Sequence, residues 1–219
     1  MEQMVSGVGV LDKSIAILRA VEAAEGPCSL QDLVATTGQA KATAHRLAAA
    51  LEAHGLLRRD AGGRYVLGLG LVALGHEAAE RWPLGEAARP HLDELRRATG
   101  ESVQLYVRQG DHRVCMVSLE SPHELRTIVA EGARLPLDVG SAGRILLGGA
   151  LGEAWTASVE ERAPGVASVS APVVIGGEVV AAVGISGPLG RLGPDPGPRF
   201  GPAVAQAAAS ISAARWSAG

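Results

Sequence analysis

Residues 29–68 change direction three times, at Gly38, at His54-Gly55 and at Gly62-Gly63. Ser29 suits the position just before a helix, because its hydroxyl can accept an orphaned backbone amide. Asp32, three residues on, completes a weaker form of the capping box. Leu30, Leu33 and Val34 supply the apolar side of that helix, and Gly38 reads as the left-handed residue that ends it. A further helix begins about Lys41 and closes at His54-Gly55. Upstream, Leu11, Ile15, Leu18 and Val21 recur at helical spacing and predict a first amphipathic helix ending near Gly26-Pro27. Two helices joined by a short glycine-containing turn match the helix-turn-helix template.

On the helix from Lys41, Ala44, Leu47, Ala48 and Leu51 fall on one face, with Ala42, Arg46 and Ala49 opposite. Small outward residues let a helix sink into a groove, and the Arg46 fork matches guanine or phosphate. Thr43 and His45 flank that face near the helix start, the end from which a recognition helix touches bases. Leu56-Leu57 and Tyr65-Val66-Leu67 then read as short strands around Gly62-Gly63. Arg58, Arg59 and Arg64 bracket this hairpin. Lys41, Arg46, Arg58, Arg59 and Arg64 face only Glu52 and Asp60 here, although the chain carries a net charge of −3. A cationic wing of this shape lies along a phosphate backbone and releases its counterions. The expected partner is double-stranded DNA, and a winged helix that binds protein instead stays open as an alternative.

The rest of the 219-residue chain follows other rules. A helix-compatible run links Gly70 to Pro83, and a second helix extends from about Leu84 to Gly100 with Leu92 and Leu95 inward. Alternation about Gly110-Asp111 predicts a hairpin. Residues 125–148 run from a strand through a loop into a short helix, a second hairpin turns at Gly176-Gly177, and an alanine-rich helix covers Pro202 to Trp216. This order implies an α+β domain with an antiparallel sheet. Aromatics make up only 3% of residues against 47% hydrophobic overall, so the core must be aliphatic.

Catalytic motifs are missing. "GSAGR" and "GISGP" fail the spacing of a nucleophile elbow, and no Walker A loop or dinucleotide fingerprint occurs. The six histidines are scattered, and His76 and Glu80 share a helical face without a second ligand cluster. Cys28 and Cys115 lack zinc or redox spacing and are expected as reduced thiols. We expect no enzyme activity, no cofactor, no metal and no membrane segment, in a cytoplasmic protein, with a catalytic second domain joined to a DNA-binding head kept open as an alternative.

The stretch "TTGQAKATAHRLAAALEAHGLLRRDAGGRYVLG" resembles the N-terminal winged helix of the IclR family of bacterial transcription regulators, through Gly38, Lys41, Thr43, His45-Arg46-Leu47, Leu51-Glu52, Gly55 and Gly63-Arg64-Tyr65. The resemblance adds Tyr65 to the DNA-contact set of Lys41, Thr43, His45, Arg46, Arg58, Arg59 and Arg64. Ser6 to Leu18 is similar to an actinobacterial branch with members that control leucine and related amino-acid biosynthesis. "GARLPLDVGSAGRILL" and "GVASVSAPV…AAVGISGP" resemble the family's GAF-like effector-binding domain. Together these imply a winged helix-turn-helix over 1–69, a linker helix over 70–83 and an effector-binding domain over 84–219. The partners implied are operator DNA, a small-molecule effector such as an amino acid or small carboxylate, and further copies of the chain in a homodimer or homotetramer.

By position in those motifs the pocket residues are Gly140, Ser141, Ala142, Gly143, Ser158, Ser168, Gly184 and Ser186. A loop entering a helix presents amides, and hydroxyls add donors, which suits a carboxylate. The same serines and glycines would equally serve to shape a turn. The chain departs from the family at Asp138, where histidine is usual, and at Arg144, near a usual lysine. An acid at 138 would repel an anionic effector if it faced the pocket. The segment Gly148–Trp155 is shorter than its counterpart, which leaves three readings open: an opened pocket, a lost wall, or a segment absent from this chain.

Overall fold

The computed structural model describes residues 6–80, 83–148 and 154–214. The chain divides into two compact units, Met1–Ala78 and Ala79–Gly219.

In the first unit, α1 (Gly9–Ala23), α2 (Leu30–Thr37) and α3 (Lys41–Ala53) precede a two-stranded sheet of β1 (Leu57–Arg59) and β2 (Tyr65–Leu67). The capping box forms as the spacing requires. Asp32 N–H donates to Ser29 Oγ at 3.2 Å, and Ser29 N–H donates to the Asp32 carboxylate at 2.8 Å. Those bonds, led by the ones from Ser29, hold the Asp32 carboxyl below its usual range. Gly38 ends α2 at φ 65°, a conformation that costs glycine nothing, and its amide donates to Val34 O. Ile17, Leu33, Leu47, Leu51, Leu57 and Tyr65 form the core, so the inward side of α3 is the side its periodicity indicated. Helix α4 (Gly70–Glu80) follows β2. Arg81 and Trp82, within the expected linker run, lie outside the described residues.

The second unit contains α5 (Pro83–Thr99), β3 (Ser102–Gln109), β4 (His112–Leu119), β5 (Arg134–Pro136), α6 (Ser141–Leu146), β6 (Thr156–Val159), β7 (Val166–Ile175), β8 (Glu178–Pro188), α7 (Leu189–Leu192) and α8 (Gly197–Ala213). Its antiparallel sheet has the order β5-β4-β3-β8-β7-β6. Strand alternation gives the sheet two different faces. Val103 and Leu105 of β3, Val169 of β7, and Val183 and Ile185 of β8 pack against Leu92 and Leu95 of α5 and Val204 of α8. The opposite face carries Tyr106, Cys115 and Ala182, covered by Ala142, Ile145 and Leu146 of α6.

A bulge in the β3–β4 pair decides what reaches that second face. Leu105 pairs with Val117, but the next residue, Tyr106, pairs with Cys115, so Met116 is the extra residue. Val117 therefore packs into the α5–α8 core, while Cys115 faces α6.

Three features differ from expectation. The strand opening residues 125–148 is confined to Arg134–Pro136, and β6 had no anticipated counterpart. The last helix starts at Gly197 with Pro202 inside it. Proline favours the first helical turn and so misplaced that boundary in the sequence reading. Trp216 lies outside the described residues.

Ser29→Ala should weaken α2 by about 1 kcal/mol, which corresponds to about fivefold faster local opening. Hydrogen exchange of the α2 amides would register it.

Candidate functional site

Two surfaces collect the residues singled out above, one in each unit. In the first, Lys41, His45 and Arg46 are exposed on α3, with Thr43 half-buried beside them. Ala40 supplies no side-chain cap to this helix, so amides at its start stay available to an anion. The smallness of Ala42 and Ala49 leaves the outer face unobstructed.

The wing cations divide into two kinds. The Arg59 guanidinium donates to Glu52 Oε2 at 3.1 Å, to Gly63 O at 3.3 Å and to Tyr65 Oη at 2.7 Å, and stacks on the Tyr65 ring. Arg64 is held by the Asp60 carboxylate at 3.1 Å, which also accepts the amides of Gly62 and Arg64 and so shapes the turn. Lys41, Arg46 and Arg58 form no ion pair among the described residues. The positive charge at this surface accordingly rests on these three, because Glu52 and Asp60 offset Arg59 and Arg64.

Tyr65 requires a correction. Only 2% of it is exposed, its ring belongs to the core, and its backbone amide and carbonyl pair with Cys28 at 2.7 and 2.9 Å. A ring held this way cannot contact DNA. Instead it ties the wing to the turn before α2.

In the second unit, the sheet face beneath α6 forms a cavity of about 30 Å³, room for a water or two. Seven of the eight expected pocket residues line it: Gly140, Ser141, Ala142, Ser158, Ser168, Gly184 and Ser186. Strand register brings them together. Ser168 pairs with Ser158 on one side and Ser186 on the other, and Gly184 lies between Ser170 and Gln104. Because these positions share one parity, every side chain among them points to the α6 face.

Their hydroxyls form a continuous chain. Ser141 Oγ lies 2.8 Å from both Ser168 Oγ and Ser170 Oγ, and Ser168 Oγ lies 2.9 Å from Ser158 Oγ. Ser186 Oγ donates to Gln104 Oε1 at 3.0 Å, leaving Gln104 Nε2 buried without a partner.

Gly143, the eighth residue, has a different task. A Cβ there would overlap the Leu137 carbonyl oxygen and the Arg113 guanidinium, so the position must be glycine for α6 to seat on the loop before it. The Gly140 amide, expected as a ligand donor, is already engaged by Glu161 at 3.0 Å. Glu161 also pairs with Arg144, which donates to Ala157 O as well. Asp138 is exposed and absent from the cavity wall, and its charge favours that of the lining Arg113.

The sequence reading missed Gln104, Tyr106, Arg113, Arg162 and Ser170, all of which line the cavity. Arg113 is the most consequential. It is 3% exposed, donates to the carbonyls of Pro136 and Val139, and stands over the Tyr106 ring. Burial pushes its guanidinium below the usual arginine range, and burial likewise pushes the Tyr106 phenol far up. An arginine guanidinium stays charged and a phenol stays neutral at neutral pH.

The sequence matches the IclR helix-turn-helix domain over residues 10–61 and the C-terminal domain of bacterial IclR transcriptional regulators over 76–150 and 149–213. The second match breaks at the short segment after Gly148. The chain is 30% identical over 246 aligned residues to the glycerol operon regulatory protein of Streptomyces griseus, covering 95% of this chain and 97% of that one. Its fold is similar to an IclR-family regulator from Rhodococcus (30% identity, TM-score 0.58, 97% and 96% of the two chains). It is also similar to one from Alicyclobacillus acidocaldarius (21% identity, TM-score 0.81, 94% and 98%).

Gly143→Ala should cost about 1–3 kcal/mol through overpacking against Leu137 and Arg113. Urea unfolding of the variant beside the unaltered chain would measure the loss.

Proposed function

Because the chain belongs to the IclR family of bacterial transcriptional regulators, and is thus a regulator and not an enzyme, we propose that it binds a pseudo-palindromic operator and releases or engages it in response to a small carboxylate. The observation that carries this reading is the pairing of an unobstructed α3 face, bearing the unpaired Lys41 and Arg46, with a hydroxyl-lined cavity in a separate unit.

On the operator, α3 enters the major groove with Arg46 at base edges and Thr43 and His45 beside it, while Lys41 and Arg58 meet phosphates. Arg59 and Arg64 shape the wing, since a phosphate would have to displace Glu52 or Asp60 to reach them. One such head makes few base contacts, and two-fold symmetry doubles them. Exposed Val8, Val10, Leu11 and Ile15 on and before α1, with Val72 and Leu74 on α4, support association with a second copy. IclR regulators act on DNA as dimers, and a dimer of dimers fits a longer operator. The effector, bound beneath α6, biases the arrangement of the heads through α4.

The likeness of Ser6–Leu18 to regulators of leucine and related biosynthesis, and the relation to a glycerol operon regulator, support control of a small-molecule metabolic operon. Action on DNA places the protein in the cytoplasm. No helix among the described residues is long and apolar enough to cross a membrane.

Arg46→Ala should lower operator affinity and cost about 1–3 kcal/mol of base discrimination. Equal loss on operator and unrelated DNA in fluorescence anisotropy would reduce Arg46 to a phosphate contact. Ser141→Arg fills the cavity and should keep operator binding while abolishing the effector's influence on it. An effector response that persists in this variant would move the effector site elsewhere.

A further inference from the structure

The charges in the cavity wall are unbalanced, and their balance names a ligand class. Arg113 and Arg162 line the cavity together, and no carboxylate does. Buried cations are ordinarily paired, because the desolvation of an unpaired charge is costly. This same unit obeys that rule elsewhere: Glu101, 4% exposed in its side chain, is bonded through both oxygens by Arg191 at 2.7 Å. Arg113 is just as buried, yet its partners are the neutral carbonyls of Pro136 and Val139 and the Tyr106 ring, and its Nε has no acceptor at all.

Arg162, in the turn between β6 and β7, makes no hydrogen bond or salt bridge among the described residues. Its charge opposes that of Arg113. The nearby acids stand outside the cavity wall, although the Asp138 charge favours that of Arg113 from there. Glu161 serves Gly140 and Arg144, Glu160 accepts the Gly165 amide, and Asp138 is exposed. Gln104 adds a buried Nε2 donor without a partner. Two guanidinium groups, an unmet amide and a row of serine hydroxyls therefore converge with no anion among them.

We propose that the effector is a compact dianion without an ammonium group, one oxyanion bound by Arg113 and the other by Arg162. The inference rests on the cavity beneath α6 being the effector site. The same charges disfavour a zwitterionic amino acid, because its ammonium would sit beside two cations with no carboxylate in the wall. A dicarboxylate and a phosphomonoester share the required chemistry. With about 30 Å³ open, the ligand must be small and the cavity wall must yield as it enters.

Calorimetric titration of the full chain at constant ionic strength tests this with five probes: malonate, inorganic phosphate, acetate, glycine and glycerol. Malonate, phosphate or both should bind at least about tenfold more tightly than acetate, with glycine and glycerol unbound; tenfold corresponds to 1.4 kcal/mol. Binding of malonate alone identifies a dicarboxylate site, and binding of phosphate alone a phosphomonoester site. Arg162→Gln should reduce dianion affinity to the acetate level. Arg113→Gln, checked for folding by circular dichroism, should abolish anion binding; Arg162→Gln carries the test if that variant does not fold.

Glycine or glycerol binding as tightly as malonate and phosphate, or dianion affinity unchanged in Arg162→Gln, would overturn the proposal. So would the absence of binding by all five probes. Ser168→Trp, which fills the cavity, separates the two levels of the argument. Loss of glycine or glycerol binding in that variant leaves the effector site in place and removes only the charge assignment. Dianion binding that survives it removes the site itself.

Discussion

Arg113 is the point on which the second unit turns. Its guanidinium fastens β4 to the loop before α6 through Pro136 and Val139, lies over Tyr106 on β3, and approaches the helix closely enough to demand glycine at 143. It reaches this position because Met116 is bulged out of the β3–β4 ladder, which puts Arg113 and Cys115 on the α6 side while Val117 stays on the other. One inserted residue thus converts what would be another core-facing strand into the charged wall of a cavity. Buried groups satisfied by neutral partners alone are expensive, and such an expense is characteristic of a site that awaits a ligand.

The first unit resolves a similar conflict differently. Five basic residues gathered around a hairpin would repel one another, and the chain answers by tying Arg59 to Glu52 and Arg64 to Asp60. These pairs are partly exposed and add little stability, but they fix the shape of the wing. The cations without an acid, Lys41, Arg46 and Arg58, remain available to a polyanion. In the wing the cations that shape the turn are paired with acids, and the unpaired ones face outward.

Much of this was legible from local signals. Ser29, Asp32 and Gly38 specify helix ends through their own backbone chemistry, so α2 and its turn could be read residue by residue. The inward face of α3 and both hairpins followed from periodicity, and the matching motifs located seven lining residues of the cavity. Long-range features were not legible. Nothing in "DHRVCMV" announces a bulge, and simple alternation places Arg113 on the same side as Val117. The one available hint was an arginine at an inward position, in step with Cys115. Tyr65 was misread because its neighbours Gly63 and Arg64 belong to the wing. In a chain with so few aromatics, a large ring is core material first. Strand β6 escaped because the alternation of Thr156 to Val159 spans only four residues, too few to stand out before they pair with β7.

The central claim is that Lys41 and Arg58 of each head engage DNA phosphates while α3 reads sequence through Arg46. Fluorescence anisotropy on the DNA upstream of the protein's own coding region, titrated in salt against an unrelated fragment, measures it most directly. Two heads with two phosphate-contacting cations each predict selective binding whose log affinity falls against log salt with a slope of about −3.6. Binding that is absent at low salt, or present with a slope near zero, would contradict the account and make the winged helix a surface for another protein.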